Sequence, residues 1–523
     1  MNFWYKYRWS IILTITLLFF LSLFYWNSLP MPMERDEGEY AYNAWIFHNQ
    51  LTPYEHSFLQ KPPLIIYTYW LAQQIGGTAI WAPRLLSILF TLATIYLLFL
   101  IAKKQFSTNI AWLTALATIP LLSLPHLTAL AANTEKFMLL PLSGVLFLYV
   151  YYQSKERTWT YLLAGALGAL AFLYKPICIL PLFFIYLVWL GQNYRSDKQI
   201  KPQLINTLFI ASGFILTVFV ALLPFLSNKV ALQNMWEQVI VFNSKYAASM
   251  NQLWWAPLKY LKIFWQNWWL LIIIATLGFF RPVKEWWFYL VLLILSWLTV
   301  FTSPIGHYYL LLMPFLVILF AGSLHYWLEK SKKRFNINED NYRALTLLSV
   351  FIIIISLVLP IKEQFTKTPT ELSLWIYGAD KPFIESWSVA EKVKELTTDK
   401  DKIFIAGSET QIYFFSQRQS VSQFDYTYPF VIETPWQLNY QQQGLDELQN
   451  NNPKVIVYST LPDSGLWSEG NPRLFIDGLN KLIQEKYQLV GGFVRDQNYG
   501  SWQQPLTTQE QFNNSSLLLF LKK

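Results

Sequence analysis

A short acidic segment contains the side chains most suited to chemistry. Asp36, Glu37 and Glu39 lie within four consecutive positions, and Tyr40 follows them directly. Carboxylates grouped in this way can provide a general base for a hydroxyl group that attacks a substrate. The simplest alternative is a solvated acidic loop without a catalytic role, so the neighbouring residues have to decide between the two interpretations.

Two cations and a further carboxylate favour a functional site. Lys61 is followed by Pro62 and Pro63, whose restricted φ angles stiffen the backbone beside the ammonium group. Arg84 lies near the start of an apolar run, where a charge is costly unless it has a partner. A later loop supplies Glu135. Together these residues predict a base and a phosphate clamp at one face of a membrane.

The composition indicates an integral membrane protein. Of the 523 residues, 54% are hydrophobic and 14% are charged, whereas about 25% charged residues is typical of soluble domains. The net charge of +8 comes largely from basic residues in short loops between apolar runs, so it indicates membrane topology and not nucleic-acid binding. The single cysteine, Cys178, excludes a disulfide framework.

The apolar runs predict a polytopic α-helical protein with about eleven spans plus juxtamembrane helices. Basic residues are concentrated on the side of the N-terminus, which the positive-inside rule assigns to the cytoplasm. An odd number of spans then places the C-terminal part outside the membrane on the opposite side. The predicted spans are at about residues 10–28, 79–102, 109–127, 134–152, 158–174, 176–191, 205–226, 264–280, 286–302, 307–327 and 344–361.

The chain is predicted to have two domains. Residues 1–361 form the transmembrane catalytic domain, and its first outer loop, 30–78, carries the candidate site. That loop is predicted to contain a helix at 39–49 and an interfacial or re-entrant helix at 64–75. Residues 362–523 are polar and predict a soluble extracytoplasmic α/β domain. Its predicted strands are 403–406, 455–458, 488–494 and 517–521, and its predicted helices are 383–397 and 472–486.

Several of these residues resemble a known pattern, that of the polyprenyl-phosphate-sugar-dependent GT-C glycosyltransferases. This superfamily includes protein O-mannosyltransferases and the lipid A aminoarabinose transferase. The pattern is an Asp-Glu pair, a Tyr three residues after the Glu, a Lys-Pro-Pro sequence and an Arg that opens the next span. The matching residues are Asp36, Glu37, Tyr40, Lys61-Pro62-Pro63 and Arg84, followed by Asn133-Thr134-Glu135 and His307-Tyr308-Tyr309.

The resemblance covers roughly residues 1–361 and, more loosely, the C-terminal domain. Two positions depart from it. The aminoarabinose transferase has an Arg where this chain has Glu39, which argues against the same sugar specificity. It also has a Glu before the Lys-Pro-Pro where this chain has Gln60, so a carboxylate that could help to bind a metal is missing. No metal or other cofactor is therefore predicted.

The resemblance implies an inverting glycosyltransferase that uses a polyprenyl-phosphate-linked sugar, with a lipid, a glycan or a protein hydroxyl as acceptor. Asp36 is then the general base and Glu37 the second catalytic carboxylate. Glu37 and Glu135 could also bind sugar or acceptor, or hold Lys61 and Arg84 in place. Lys61 and Arg84 bind the donor phosphate. The predicted sugar- and acceptor-binding residues are Tyr40, Glu135, His307 and Tyr308.

Each of these residues also has a structural interpretation. Glu37 and Glu135 could form ion pairs, Tyr40 could pack the loop helix, and His307 could be a satisfied structural group. Lys175 is predicted to extend toward the membrane surface from the end of a span, and Lys136 to pair with Glu135 or to face lipid headgroups.

Two other classes of protein remain open from the sequence. A lipid or glycan transporter would usually place ionisable residues near the bilayer midplane, whereas here they lie in outer loops. A non-catalytic scaffold would leave the Lys-Pro-Pro sequence and the paired acids without a role. The chain lacks a large lumenal insertion of the kind seen in eukaryotic protein mannosyltransferases, and the resemblance therefore favours a bacterial plasma membrane as the location.

Overall fold

The computed structural model describes residues 2–153, 157–250, 255–280, 285–465, 467, 470–497 and 499–523. The chain divides into two compact units. The helical unit comprises residues 1–29, 84–222 and 251–367, and the mixed unit comprises residues 30–83, 223–250 and 368–523. Three separate stretches of sequence therefore contribute to each unit.

The helical unit contains, among the described residues, one long helix for each of the predicted spans. Their side chains are rich in Leu, Ile, Phe and Ala, and they are apolar on most faces, as expected for helices within a membrane. The helices are Asn2–Tyr25, Trp81–Gln105, Thr108–Leu121, Thr134–Tyr152, Thr158–Tyr174, Ile179–Asp197, Ile200–Leu222, Ala256–Leu277, Trp286–Val300, Met313–Arg334 and Glu339–Val358. Short 3-10 turns lie at Pro125–Leu127, Pro176–Cys178, Gly278–Phe280, Gly306–Leu312 and Leu359–Phe365.

Six apolar segments in the described part of the chain are long enough to cross a membrane, and four further apolar helices are shorter. The chain is thus a multi-pass membrane protein, and the count of eleven spans stays a prediction. The six segments are Trp81–Gln105, Pro176–Arg195, Ile200–Phe225, Ala256–Phe280, Gly306–Arg334 and Glu339–Phe365.

The mixed unit contains a five-stranded sheet. Its strands are β1 (Ile403–Ala406), β2 (Val455–Ser459), β3 (Tyr487–Val494), β4 (Ser501–Gln503) and β5 (Ser515–Lys522). The strand order is β1-β2-β5-β3-β4, in which only β1 and β2 are parallel among the described strands. The α/β prediction is confirmed. Strand β4 is not among the predicted strands, because its three residues are half-buried or exposed and show no alternation of apolar and polar side chains.

Helices from all three stretches complete the mixed unit. From the first two stretches come Arg35–His48, Leu64–Gly76, Leu223–Phe225, Lys229–Trp236, the π-helical Glu237–Phe242 and Asn243–Met250. From the third come Pro369–Tyr377, Ser386–Leu396, Gln411–Ser416, Tyr428–Val431, Gln437–Asn451, Pro462–Gly465, Leu474–Lys486 and Gln509–Asn513. The predicted loop helices are thereby confirmed, although the first begins at Arg35 and not at residue 39.

One aromatic core joins these stretches. Phe58 of the first stretch and Phe242 of the second are buried in one cluster with Phe404 of β1 and Phe424. The Phe58 and Phe424 rings are stacked, with their centroids 5.7 Å apart. Buried aromatic side chains of this size contribute much of the apolar area removed from water. The sheet therefore holds the segment that carries Lys61 within the same compact unit.

The Arg35–His48 helix approaches the Gln411–Ser416 helix closely at Gly38. A Cβ atom at position 38 would lie 2.7 Å from the backbone nitrogen of Gln411. Replacing Gly38 with Ala should destabilise the protein by about 1–3 kcal/mol, the usual cost of overpacking a well-packed core. The measurement is the midpoint of thermal unfolding of the purified protein in detergent.

Gly191 provides the matched control for this substitution. It lies in the Ile179–Asp197 helix, and a Cβ atom there would meet no heavy atom within 4 Å. Because Ala is favoured over Gly within helices by about 1 kcal/mol, Gly191→Ala should raise the midpoint or leave it unchanged. Equal effects of the two substitutions would show that the contact at Gly38 is not restrictive.

Candidate active site

The first turn of the Arg35–His48 helix presents the acidic cluster. Glu34 is the N-cap, and its carboxylate accepts hydrogen bonds from the backbone N–H groups of Asp36 (3.2 Å) and Glu37 (3.1 Å). Glu37 in turn accepts a hydrogen bond from the backbone N–H of Glu34 at 3.4 Å, which completes a capping box. Asp36 is half-buried at the second helical position. The positive end of the helix dipole stabilises an anionic side chain there.

Glu34 is a member of this cluster that sequence reasoning missed. Burial, followed by the negative charges of Asp36 and Glu37, raises its pKa well above the ordinary value. The spacing of Glu34 and Glu37 is that of a capping box, but Glu34 is not one of the residue types preferred at its first position, so the sequence carries no clear signal of the helix start. The capping role gives Glu37 a structural function, and its catalytic role stays a prediction.

Lys61 lies beside Glu39 and Tyr40 in the mixed unit. The Lys61 ammonium is 3.7 Å from a carboxylate oxygen of Glu39 and 5.8 Å from the centroid of the Tyr40 ring. All three side chains are buried, with Lys61 9% exposed. The Tyr40 ring packs edge-on against Tyr69 at 5.5 Å, which fixes its position beside the ammonium group. This cation is therefore held at a defined place next to the acidic helix.

A second charged cluster lies in the helical unit around Glu135. The Lys175 ammonium is 3.0 Å from one carboxylate oxygen of Glu135, and His307 Nε2 is 3.9 Å from the other. The Lys175 ammonium also lies 3.9 Å from the centroid of the Tyr308 ring. The other imidazole nitrogen, Nδ1, lies within hydrogen-bond distance of Thr128 Oγ1 (3.0 Å) and Asn133 Nδ2 (3.2 Å). Both nitrogens of the His307 ring therefore have polar neighbours.

Two predictions about lysines in this region are wrong. Lys175 does not extend toward the membrane surface, because its side chain is buried and paired with Glu135. Lys136 neither pairs with Glu135 nor faces headgroups, because it donates hydrogen bonds to the Tyr25 hydroxyl and, at 2.6 Å, to the Leu122 carbonyl. A charge within an apolar helix gains more from a nearby acceptor than from a distant interface.

Arg84 lies at the start of the second long helix and is 1% exposed. Its Nη1 group donates hydrogen bonds to the carbonyl oxygens of Ser28 (2.6 Å) and Leu29 (3.4 Å), which follow the first helix. These contacts give Arg84 a structural role at the end of the first span. Its role in phosphate binding stays a prediction.

The structure thus groups the predicted site residues into two sets. Asp36, Glu37, Tyr40 and Lys61 belong to the mixed unit, and Arg84, Glu135, His307 and Tyr308 belong to the helical unit. Among the residues that the structure describes, no group of three or more His, Cys, Asp or Glu side chains is placed to hold a metal ion.

Over part of its length the chain matches the model of a known family. The model of the family described as dolichyl-phosphate-mannose-protein mannosyltransferase matches residues 60–225, a segment that includes Lys61, Arg84 and Glu135. No curated protein matches the chain in sequence.

Solved structures share the fold. The chain is similar to ArnT from Cupriavidus metallidurans bound to undecaprenyl phosphate, with a TM-score of 0.60 and 14% identity over 98% of each chain. Apo ArnT from that organism gives a TM-score of 0.57 at the same identity and coverage. The Archaeoglobus fulgidus oligosaccharyltransferase tethered with an acceptor peptide gives 0.54 at 11% identity, over 97% of this chain and 75% of that chain.

These likenesses confirm the resemblance predicted from the sequence. The chain has the GT-C fold, a multi-pass helical membrane part combined with a C-terminal sheet domain. The match to the mannosyltransferase family model, together with that fold, supports a membrane glycosyltransferase.

The Glu135–Lys175 contact can be tested by charge removal. Glu135→Gln should destabilise the protein by about 3–5 kcal/mol, because breaking one side of a buried ion pair leaves the other charge uncompensated. Adding Lys175→Met to that variant should recover part of the loss. The measurement is thermal unfolding of the two single variants and the double variant.

Measuring sugar transfer by the same variants distinguishes a structural role of the Glu135–Lys175 pair from a direct role in binding sugar or acceptor. A purely structural pair predicts that activity returns together with stability in the double variant. A direct role in binding sugar or acceptor predicts that stability returns and activity does not. Equal stability of Glu135→Gln and the unmodified protein would contradict the ion pair itself.

Proposed function

We propose that this chain is an inverting glycosyltransferase that moves a sugar from a polyprenyl-phosphate-linked donor to an acceptor hydroxyl. The reaction takes place at the outer face of a bacterial inner membrane, with the N-terminus in the cytoplasm and the mixed unit outside. Acceptors of the proposed class are lipid headgroups, envelope glycans and protein hydroxyls. The reaction therefore contributes to glycosylation of the cell envelope.

One observation carries the proposal: the buried cation Lys61 and the acidic helix Arg35–His48 lie together in one compact unit. A phosphate clamp and a general base are the two groups that transfer from a polyprenyl phosphate requires. The similarity to ArnT bound to undecaprenyl phosphate supports extending that ligand to this chain.

Asp36 is the proposed base. As the acceptor hydroxyl attacks the anomeric carbon, its proton passes to a carboxylate oxygen of Asp36. The bond between the anomeric carbon and the phosphate oxygen breaks on the opposite face of the sugar, which inverts the anomeric configuration. The position of Asp36 in the first helical turn favours its charged, proton-accepting form.

Lys61 is the proposed phosphate ligand. The leaving polyprenyl phosphate gains negative charge as the glycosidic bond breaks, and a fixed ammonium group stabilises that charge in the transition state. The contacts with Glu39 and Tyr40 hold the ammonium group in place before the donor binds. Arg84 is the proposed second phosphate ligand.

The remaining predicted residues are proposed to bind the reactants. Tyr40 and Glu37 adjoin the base and the cation in the mixed unit. In the helical unit, Lys175 lies beside Glu135 and the Tyr308 ring, and His307 lies on the other side of the Glu135 carboxylate. These side chains offer hydrogen-bond groups and an aromatic face for a sugar ring or an acceptor.

Substitution of Asp36 tests the base. Asp36→Asn keeps the size of the side chain and removes the proton acceptor, so transfer should fall by about 100-fold or more. The readout is mass spectrometry of envelope lipids and glycans from a strain that carries only the variant gene. Asp477→Asn, at an exposed position of the same unit, is the control.

Two results would contradict the assignment. Transfer at the normal rate by Asp36→Asn would exclude Asp36 as the base. Asp36-dependent movement of a lipid-linked sugar across the membrane without any glycosylated product would indicate a transporter and not a transferase.

Substitution of Lys61 tests the phosphate clamp. Lys61→Met removes the charge and should weaken undecaprenyl phosphate binding by about 10–100-fold, as expected for a charge-assisted contact of about 1.5–3 kcal/mol. The measurement is binding of undecaprenyl phosphate to the protein in nanodiscs. Lys481→Met is the matched control, because Lys481 is 77% exposed in the same unit. Equal binding by both variants would remove Lys61 from the phosphate site.

A further inference from the structure

The main chain that leads into Lys61 is restrained at four successive residues. Each restraint is a hydrogen bond between a backbone group of residues 58–61 and a side chain of the mixed unit. The pairs are Phe58 N–H to Asp425 Oδ1 (3.2 Å), Leu59 N–H to Gln238 Oε1 (2.9 Å), Asn243 Nδ2 to the Gln60 carbonyl (2.6 Å) and the Tyr54 hydroxyl to the Lys61 carbonyl (2.8 Å).

Two adjacent residues of the C-terminal stretch take part in this restraint. Asp425 is fully buried and holds the Phe58 backbone. The hydroxyl of Tyr426 accepts a hydrogen bond from the Gln60 side chain at 2.9 Å. The Phe58 ring packs against the Tyr426 ring at 6.2 Å, so the polar contacts lie within an aromatic core from which water is excluded. Hydrogen bonds in such surroundings define a single backbone geometry.

Asp425 contacts the Phe58 backbone through a single acceptor oxygen. One carboxyl oxygen faces the Phe58 N–H, and within the described residues the other has no hydrogen-bond partner. Burial, followed by the negative charge of Glu39, raises the pKa of Asp425 well above its ordinary value. The contact with Phe58 is made by one acceptor oxygen, which a carboxyl group and an amide both provide.

We propose that Asp425 and Tyr426 are positioning residues for Lys61, through which the C-terminal sheet domain sets the location of the phosphate-binding ammonium group. They act on residues 58–60 and not on the donor itself. The inference rests on the proposed function in one respect, the role of Lys61 as a phosphate ligand. It gives the C-terminal domain a part in donor binding.

The test uses the full chain in nanodiscs and undecaprenyl phosphate as the probe. Asp425→Ala removes the acceptor and should weaken binding about tenfold or more, because small displacements of a binding group have large effects. Asp425→Asn retains a neutral acceptor oxygen and should leave binding unchanged. Tyr426→Phe removes the partner of Gln60 and should weaken binding less than Asp425→Ala does.

Gln441→Ala is the matched control. Gln441 is also fully buried in the C-terminal part and makes hydrogen bonds to the backbone of Phe430, Pro472 and Phe475. The substitution should therefore lower thermal stability in the same way as Asp425→Ala. If Asp425 is a positioning residue, undecaprenyl phosphate binding should fall in Asp425→Ala and not in Gln441→Ala.

Hydrogen exchange of the backbone gives a readout that does not depend on activity. In Asp425→Ala, the peptide that covers residues 54–63 should exchange faster, and in Gln441→Ala it should exchange as in the unmodified protein. Faster exchange of this peptide in a protein that binds no undecaprenyl phosphate would support the positioning of Lys61 while the proposed function fails.

Two results would overturn the inference. The first is that Asp425→Ala and Gln441→Ala bind undecaprenyl phosphate equally well and show equal exchange of residues 54–63. Asp425 would then contribute to overall stability only. The second is a loss of binding in Asp425→Asn as large as in Asp425→Ala, which would show that the acceptor oxygen is not what matters.

Discussion

A buried charge has to be compensated, and this constraint governs both charged clusters of the chain. Moving an ion out of water costs several kcal/mol even after the protein relaxes. In the helical unit the Lys175 ammonium is compensated by Glu135, and in the mixed unit Lys61 is compensated by Glu39. Each carboxylate lies close enough to its lysine to stabilise a positive charge in buried surroundings. Phosphate recognition needs a positive charge from a lysine.

The carboxylates of the first loop differ in the groups that they contact. Glu34 and Glu37 exchange hydrogen bonds with each other's backbone and define where the helix begins. Glu39 faces the cation. Asp36 lies in the first turn of the helix, where the helix dipole favours a negative charge. An acidic cluster that looks uniform in the sequence therefore contains carboxylates with different contacts.

The fold could be read from the sequence to a large extent, because hydrophobic length and alternation are local signals. The long helices and four of the five strands follow from them. Strand β4 carries no such signal, since its pairing with β3 depends on a partner and not on its own pattern. The start of the first loop helix was missed by four residues because Glu34 is not one of the preferred capping residues.

The candidate site could be predicted only as a set of residue types. The sequence singled out Lys61 and Glu135, but it did not pair Lys61 with Glu39, and it predicted the wrong environment for Lys175. Pairings such as Lys175–Glu135 join positions forty residues apart, and Asp425 lies more than three hundred and sixty residues from the Phe58 amide that it holds. No spacing rule reaches over such separations. They are determined by tertiary packing.

The three-part make-up of the mixed unit has a consequence for how the protein is made. Phe58 and Phe242 leave the ribosome long before Phe404 and Phe424, with which they share a core. Until that last stretch is complete, Phe58 lacks three of the aromatic rings that pack against it, those of Phe424, Tyr426 and Tyr440. Its ring is then more exposed as the chain is inserted, a condition that favours aggregation. A chain that stops before residue 368 lacks Phe404 and Phe424, and with them part of the core around the segment that carries Lys61.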